Sequence, residues 1–162
     1  MNWLGRRLQR YVGGTDMVLN LGCGIMNAAD GLNCKCMLGC DIWPAYLDVV
    51  KDRRMTITMR CEESERFVDF SYDIVMCLDT IEHLEREPAL KLLDEMKRIC
   101  RKKAIVYTPG IFEPNTQPDG GAWGLGENPY QLHKCVITKE ELEEHGYEVI
   151  PIADNNLGVF YK

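Results

Sequence analysis

The sequence predicts an α/β fold: a doubly wound, mostly parallel seven-stranded sheet with helices on both faces and an antiparallel hairpin at its C-terminal edge. Three observations predict it. Short, nearly continuous apolar runs alternate with helical segments, as strands buried on both faces require. A tight glycine pair follows the first of those runs, in VLNLGCGIMN (Val18–Asn27), where a parallel strand feeds a ligand-binding turn. The last two runs follow each other across a short polar turn, too close for a crossover helix.

The elements follow in order. Trp3, Leu4, Leu8, Tyr11 and Val12 recur at helical spacing, and Gly13-Gly14 ends that helix. Strands are expected at Met17–Leu21, Cys36–Cys40, Met55–Met59 (MTITM), Tyr72–Leu78 (YDIVMCL) and Ala104–Tyr107 (AIVY). Pro44 and Pro88 suit first-turn positions and open the helices PAYLDVVKD and PALKLLDEMKRICR. Thr138 and Glu141 form a capping box for a last helix, which Gly146 stops. Strands at Tyr147–Ile152 and Gly158–Tyr161 come last, joined through Asp154-Asn155-Asn156.

Bulk composition bounds the class. The 162 residues suffice for one domain with a core and are too few for two. A net charge of −6 argues against broad nucleic-acid binding, and Arg6, Arg7 and Arg10 read as a solvated helix face. MNWLGRRLQRYVGG holds no long apolar stretch, so no secretory signal or membrane span is expected and a cytoplasmic location follows. The eight cysteines are then reduced, and Cys34, Cys36 and Cys40 read as strand thiols sharing one face rather than as a metal site.

The glycine turn sets the question of function. A dinucleotide fingerprint needs a third glycine where this chain has Asn27, so phosphate cradling is weakly supported and a nicotinamide enzyme is disfavoured. Asp41 ends the second strand and either caps the helix near Pro44 or accepts hydrogen bonds from both hydroxyls of a ribose, the second reading being preferred.

Taken in order, VLNLGCG, GCDIW, YDIVMCLDTIEHL and KKAIVYTPG resemble the class I S-adenosylmethionine-dependent methyltransferases, from about Met17 to Ile152. The resemblance implies a Rossmann-like fold and S-adenosylmethionine as cofactor. It implies one domain over 1–162, with an N-terminal helix at 1–14 and a lid insertion at 109–134 whose Phe112, Trp123 and Tyr130 wall the acceptor. Cofactor contacts are expected from Asn20, Gly22, Cys23, Gly24, Asp41, Ile42, Glu62 and Leu78. Ile42 would line the adenine slot and Glu62 would meet the adenine amino group. Two departures stand out: Asn20 replaces the family's usual acid, and Met26 replaces a glycine or small residue.

Asp79, Glu82 and His83 would stand on one face if DTIEH were helical, able to supply a base or ligate a divalent ion. Capping and packing are the preferred reading, and no metal is assigned. Asp79, His83 and His133 are the candidates for proton removal. The expected reaction is in-line methyl transfer to an O or N acceptor, a small molecule. A catalytically weak methyltransferase-like scaffold is the alternative, motivated by Asn20 and Met26. Leu78-Asp79-Thr80-Ile81 stands where nucleic-acid amino-methyltransferases carry an Asn-Pro-Pro-Tyr type tetrad, which disfavours that class.

Overall fold

The computed structural model describes residues 1–52, 54–115, 123, 125 and 128–162. Among them seven strands form one sheet: β1 (Met17–Leu21), β2 (Cys36–Asp41), β3 (Met55–Thr58), β4 (Tyr72–Leu78), β5 (Cys100–Pro109), β6 (Glu148–Ile152) and β7 (Asn155–Tyr161). Their spatial order is β3-β2-β1-β4-β5-β7-β6. The first five run parallel, and β7 is antiparallel to both β5 and β6. Helices α1 (Trp3–Leu8), α2 (Pro44–Val50), α3 (Arg86–Ile99) and α4 (Lys139–Glu144) cover it, with 3-10 turns at Cys61–Arg66, Ile81–His83 and Pro129–Gln131. The expected fold class is the observed one.

Strand alternation sorts the core into two layers. Leu19, Leu21, Val75, Cys77, Ala104 and Val106 pack against α3 through Ala89, Leu92, Leu93, Met96 and Ile99. On the opposite face Val18, Ile74, Met76, Ile105 and Leu157 meet Leu4 and Leu8 of α1 and Leu47 and Val50 of α2. Each large side chain so buried stabilises the fold by about 1.5–3 kcal/mol before entropy is counted.

Several boundaries differ from expectation for identifiable reasons. The α-helical part of α1 stops at Leu8, and a turn carries the chain on to Val12. Helix α3 starts two residues earlier, at Arg86; Pro88 still lies in its first turn, where no intrahelical N–H bond is needed. Strand β5 has ten residues, because Arg101, Lys102 and Lys103 continue the ladder while their charges reach solvent and Asp16 or Asp73. The final hairpin turns at Ala153-Asp154 rather than at Asp154–Asn156: Asn155 pairs with Ile152, and Ala153 takes a positive φ of 51°. Asn155 and Asn156 are therefore strand residues. All eight cysteines are free; the strand begins only at Cys36, so Cys34 lies ahead of it.

Between β1 and β2 the chain makes only turns. Met26 lies there with φ 59°, the conformation a glycine would take easily, and its side chain is 1% exposed. Space for it comes from Gly39 of β2, where an added Cβ would lie 2.0 Å from Met26 Cε. The departure at Met26 is thus matched by a glycine thirteen residues on, a pairing invisible in the local motif. Gly39→Ala is expected to cost about 1–3 kcal/mol by overpacking. Urea melts should show that loss shrinking when Met26→Ala is added.

Candidate functional site

A cavity of about 590 Å³ opens at the carboxyl ends of the parallel strands. It sits where β1 and β4 lie side by side, the point at which strand order reverses and at which ligands of open α/β sheets bind. All eleven residues named from the sequence line it: Asn20, Gly22, Cys23, Gly24, Asp41, Ile42, Glu62, Leu78, Asp79, His83 and His133.

The glycine turn is bound to β2, not to a following helix. Cys23 donates its N–H to Cys40 O at 2.8 Å, and Gly24 donates to Asp41 Oδ2 at 2.8 Å. Asp41 Oδ1 accepts from Trp43 N at 2.8 Å. The acid therefore shapes both rims, at the head of α2 as well as at the glycines. Burial raises its pKa, against the pull of the Trp43, Gly24 and Ile42 N–H groups. Neither glycine tolerates a side chain. A Cβ on Gly22 (φ +65°) would lie 1.9 Å from Thr80 Cγ2, and one on Gly24 (φ +51°) 2.9 Å from Trp123. Thr80 in turn donates its hydroxyl to Gly22 O at 2.8 Å. Beside the turn, buried Asn20 Oδ1 has no hydrogen-bond partner among the described residues. No helix follows this turn, so the N-terminal dipole that dinucleotide folds aim at a pyrophosphate is missing.

DTIEH is not one helix. Asp79 has a positive φ of 47°, and only Ile81–His83 forms a 3-10 turn. Thr80, not Asp79, is its cap residue, and no side-chain capping bond forms, so the capping reading fails. The cluster instead closes the cavity floor. Glu82 is 2% exposed and accepts from Thr108 Oγ1 at 3.1 Å. Burial, reinforced by Asp79, pushes its pKa up to about 8. Asp79 is open to the cleft but enclosed by protein elsewhere, and that partial burial lifts it to about 6. His83 is pushed down to about 4 by burial, against the Leu132 carbonyl that its Nδ1 meets at 3.3 Å.

His133 packs its ring against His83, centroids 4.9 Å apart. Its strap is pinned by Glu82 O, which accepts from Lys134 N (2.8 Å) and Cys135 N (3.2 Å). Of the three expected lid aromatics, Trp123 and Tyr130 line the cavity. Phe112 does not: it is 52% exposed, outside the cavity. Residues 116–122, 124, 126 and 127 of the expected lid lie outside the described residues.

Sequence reasoning missed Tyr46, whose buried ring meets Trp123 edge-on at 4.8 Å. It also missed the Trp3–Tyr107 pair at 6.0 Å and Arg60, whose guanidinium lies 5.7 Å above the Tyr130 ring. Tyr46 lies inside PAYLDVVKD, where nothing local distinguishes it from a core residue of α2. The other three needed the fold to bring distant segments together.

Strand order, glycine turn and facing acid together define a doubly wound α/β protein with a cavity at the point where strand order reverses. The methyltransferase-domain family model matches residues 19–108, more than half of the chain. No curated protein matches the sequence. Among solved structures, the PH0226 protein of Pyrococcus horikoshii OT3 is similar with a TM-score of 0.69 and 18% identity, covering 98% of this chain and 87% of its own. An S-adenosylmethionine-dependent methyltransferase from Archaeoglobus fulgidus is similar at 0.65 and 17%, over 98% and 93%. Magnesium protoporphyrin IX methyltransferase of Synechocystis PCC 6803, solved with bound S-adenosylhomocysteine, is similar at 0.66 and 14%, over 98% and 80%. The chain belongs to the methyltransferase-domain family, within the class I S-adenosylmethionine-dependent methyltransferases, and S-adenosylmethionine is the cofactor of that family. Among the described residues no helix is long and apolar enough to cross a membrane.

Gly22→Ala combines a positive φ with the Thr80 collision. It is expected to lower stability by about 1–3 kcal/mol in thermal melts. Thr80→Ala added to it removes the Cγ2 and Oγ1 collisions but leaves the residue-80 Cβ at 2.7 Å and the backbone strain, so recovery of stability should be partial.

Proposed function

We propose that this chain binds S-adenosylmethionine in the cleft and transfers its methyl group to an oxygen or nitrogen of a small acceptor. The observation that supports this most is the buried acceptor Asn20 Oδ1, without a hydrogen-bond partner among the described residues, beside two glycines at which a Cβ would collide with Thr80 or Trp123. An ammonium group satisfies that oxygen, and bare main chain at Gly22, Cys23 and Gly24 lets a methionine tail lie against it. Asp41 keeps a lone pair on each oxygen beyond those its N–H donors use, and accepts from two ribose hydroxyls. Ile42 and Leu78 give the adenosyl group apolar contact, and Glu62 receives the adenine amino group.

The bound cofactor supplies a methyl on a positively charged sulfonium, already activated for in-line displacement. The chain's own tasks are then alignment and exclusion of water. Trp123 and Tyr130 cover the cavity from above, with Arg60 stacked over Tyr130. Asp79, His83 and His133 stand at the acceptor end. Asp79, with a pKa lifted to about 6, is ionised at neutral pH yet more basic than an ordinary carboxylate, which suits it to take the acceptor's proton. His83 stays neutral and positions the acceptor. We further propose that residues 1–162 act as one catalytic domain in the cytoplasm, on a small molecule.

Calorimetry with S-adenosylhomocysteine tests the reading. Asp41→Ala should weaken binding about tenfold or more, as expected for lost hydrogen bonds to a charged group, with circular dichroism confirming an intact fold. A folded wild-type chain that binds neither the cofactor nor its demethylated product removes the reading. Binding without transfer to any member of a broad acceptor panel leaves the scaffold alternative in its place.

A further inference from the structure

We infer that Glu82, His83 and His133 form a site for one divalent cation of the zinc type, open toward the cleft. One ligand atom from each lies within 4.8 Å of the others. Zinc bonds of about 2.0–2.2 Å set tetrahedral ligand atoms roughly 3.3 Å apart, so small side-chain rotations bring the three to a common ion.

The surroundings prepare each ligand. His83 Nδ1 lies 3.3 Å from Leu132 O, which places the ring proton on that nitrogen and leaves the Nε2 lone pair free. Glu82 commits Oε2 to Thr108 and carries no ion pair among the described residues, nor does Asp79 beside it. Lys134 turns instead to Glu85, and Arg86 to Glu141. His133 is held against His83 by the two main-chain bonds to Glu82 O. Glu82 and the two imidazoles thus bring one oxygen and two nitrogens to one place, with Asp79 beside them.

Two nitrogens and one oxygen select a borderline ion such as zinc over magnesium or calcium, which favour all-oxygen sets. Three protein ligands leave a fourth position, and all three residues line the cavity. This narrows the acceptor to an alcohol or phenol, a step that rests on the methyl-transfer reading above. Coordination lowers the pKa of a hydroxyl, as it does for water. The acceptor oxygen gives its proton to Asp79 and forms the new bond to the methyl carbon as the carbon–sulfur bond breaks, leaving a neutral thioether.

The test is titration of zinc chloride alone into chelator-treated full-length chain, followed by calorimetry. One site per chain is expected, with His133→Ala and Glu82→Gln each weakening it at least tenfold. Cobalt(II) should give visible d–d absorption that His133→Ala abolishes, while an unchanged thermal melt shows that variant to be folded. Absence of zinc binding overturns the inference. So does binding that persists unchanged in both variants, which would assign the ion to thiols. Zinc binding without any S-adenosylhomocysteine binding removes the methyl-transfer reading and leaves the metal site standing.

Discussion

The Asp41 carboxylate, at the end of β2, joins the two loops between which the cleft lies. One oxygen holds the glycine turn through Gly24 N–H, and the other holds the approach to α2 through Trp43 N–H. Its backbone carbonyl accepts from Met59, which ties the end of β3 to the same point. A buried carboxylate is costly unless its lone pairs meet donors. Here the donors are main-chain groups of the ligand-binding loops themselves. The geometry of the glycine turn, the direction of α2 and the depth of the cleft therefore depend on one residue. In α/β folds with a helix after this turn, that helix fixes the turn. This chain has only turns over residues 22–35 and relies on β2 instead.

Glu82 does for the far wall what Asp41 does for the near one. Its side chain reaches Thr108 on β5, while its carbonyl receives both N–H groups of Lys134 and Cys135. Three segments spread over about fifty residues of chain meet at this one turn, and His133 arrives at His83 as a consequence. The two walls are coupled through Thr80, whose hydroxyl bonds Gly22 O across the cleft. Rearrangement of either wall reaches the other along that bond.

What was legible in the sequence follows from how local each signal is. Strand alternation, the prolines of α2 and α3 and the Thr138–Glu141 box act within a few residues, whereas the order of the strands is set by pairings remote in sequence. Strand β5 was read short because the lysines and arginine at its start obey solvent and Asp16, not the core. DTIEH misled for a deeper reason. Its spacing fits a helix, but Asp79 turns with positive φ, and the burial of Glu82 is decided by Thr108 and the strap, both remote in sequence. Met26 looked like a defect only while Gly39 was out of view. The site residues were nameable; their partners were not.

Charge explains why a phosphate-free ligand suits the cleft. Among the described residues three ionised carboxylates line it, Asp41, Glu62 and Asp79, beside Glu82, whose burial keeps it largely protonated at neutral pH. The two fixed cations on the lining, Arg60 and Lys134, are ion-paired with Glu62 and Glu85. Two unit charges about 6 Å apart interact by roughly 3 kcal/mol at an effective dielectric of about 20. A pyrophosphate placed beneath the glycines would meet that repulsion with neither a helix dipole nor a free guanidinium to offset it. A ligand carrying a sulfonium and an ammonium meets the same field with the opposite sign. Replacing the family's usual acid by Asn20 removes one charge from a cavity that still holds Asp41, Glu62 and Asp79, so the loss in attraction is partial, and the amide oxygen still presents an acceptor at that point. The same surplus of negative charge bears on the second imidazole-lined corner. With the cofactor's cationic end near Asn20, as proposed, Asp79 still has no ion pair among the described residues. On the two proposals above, the cavity would hold two cations of different kinds at its opposite ends, one organic and one metallic.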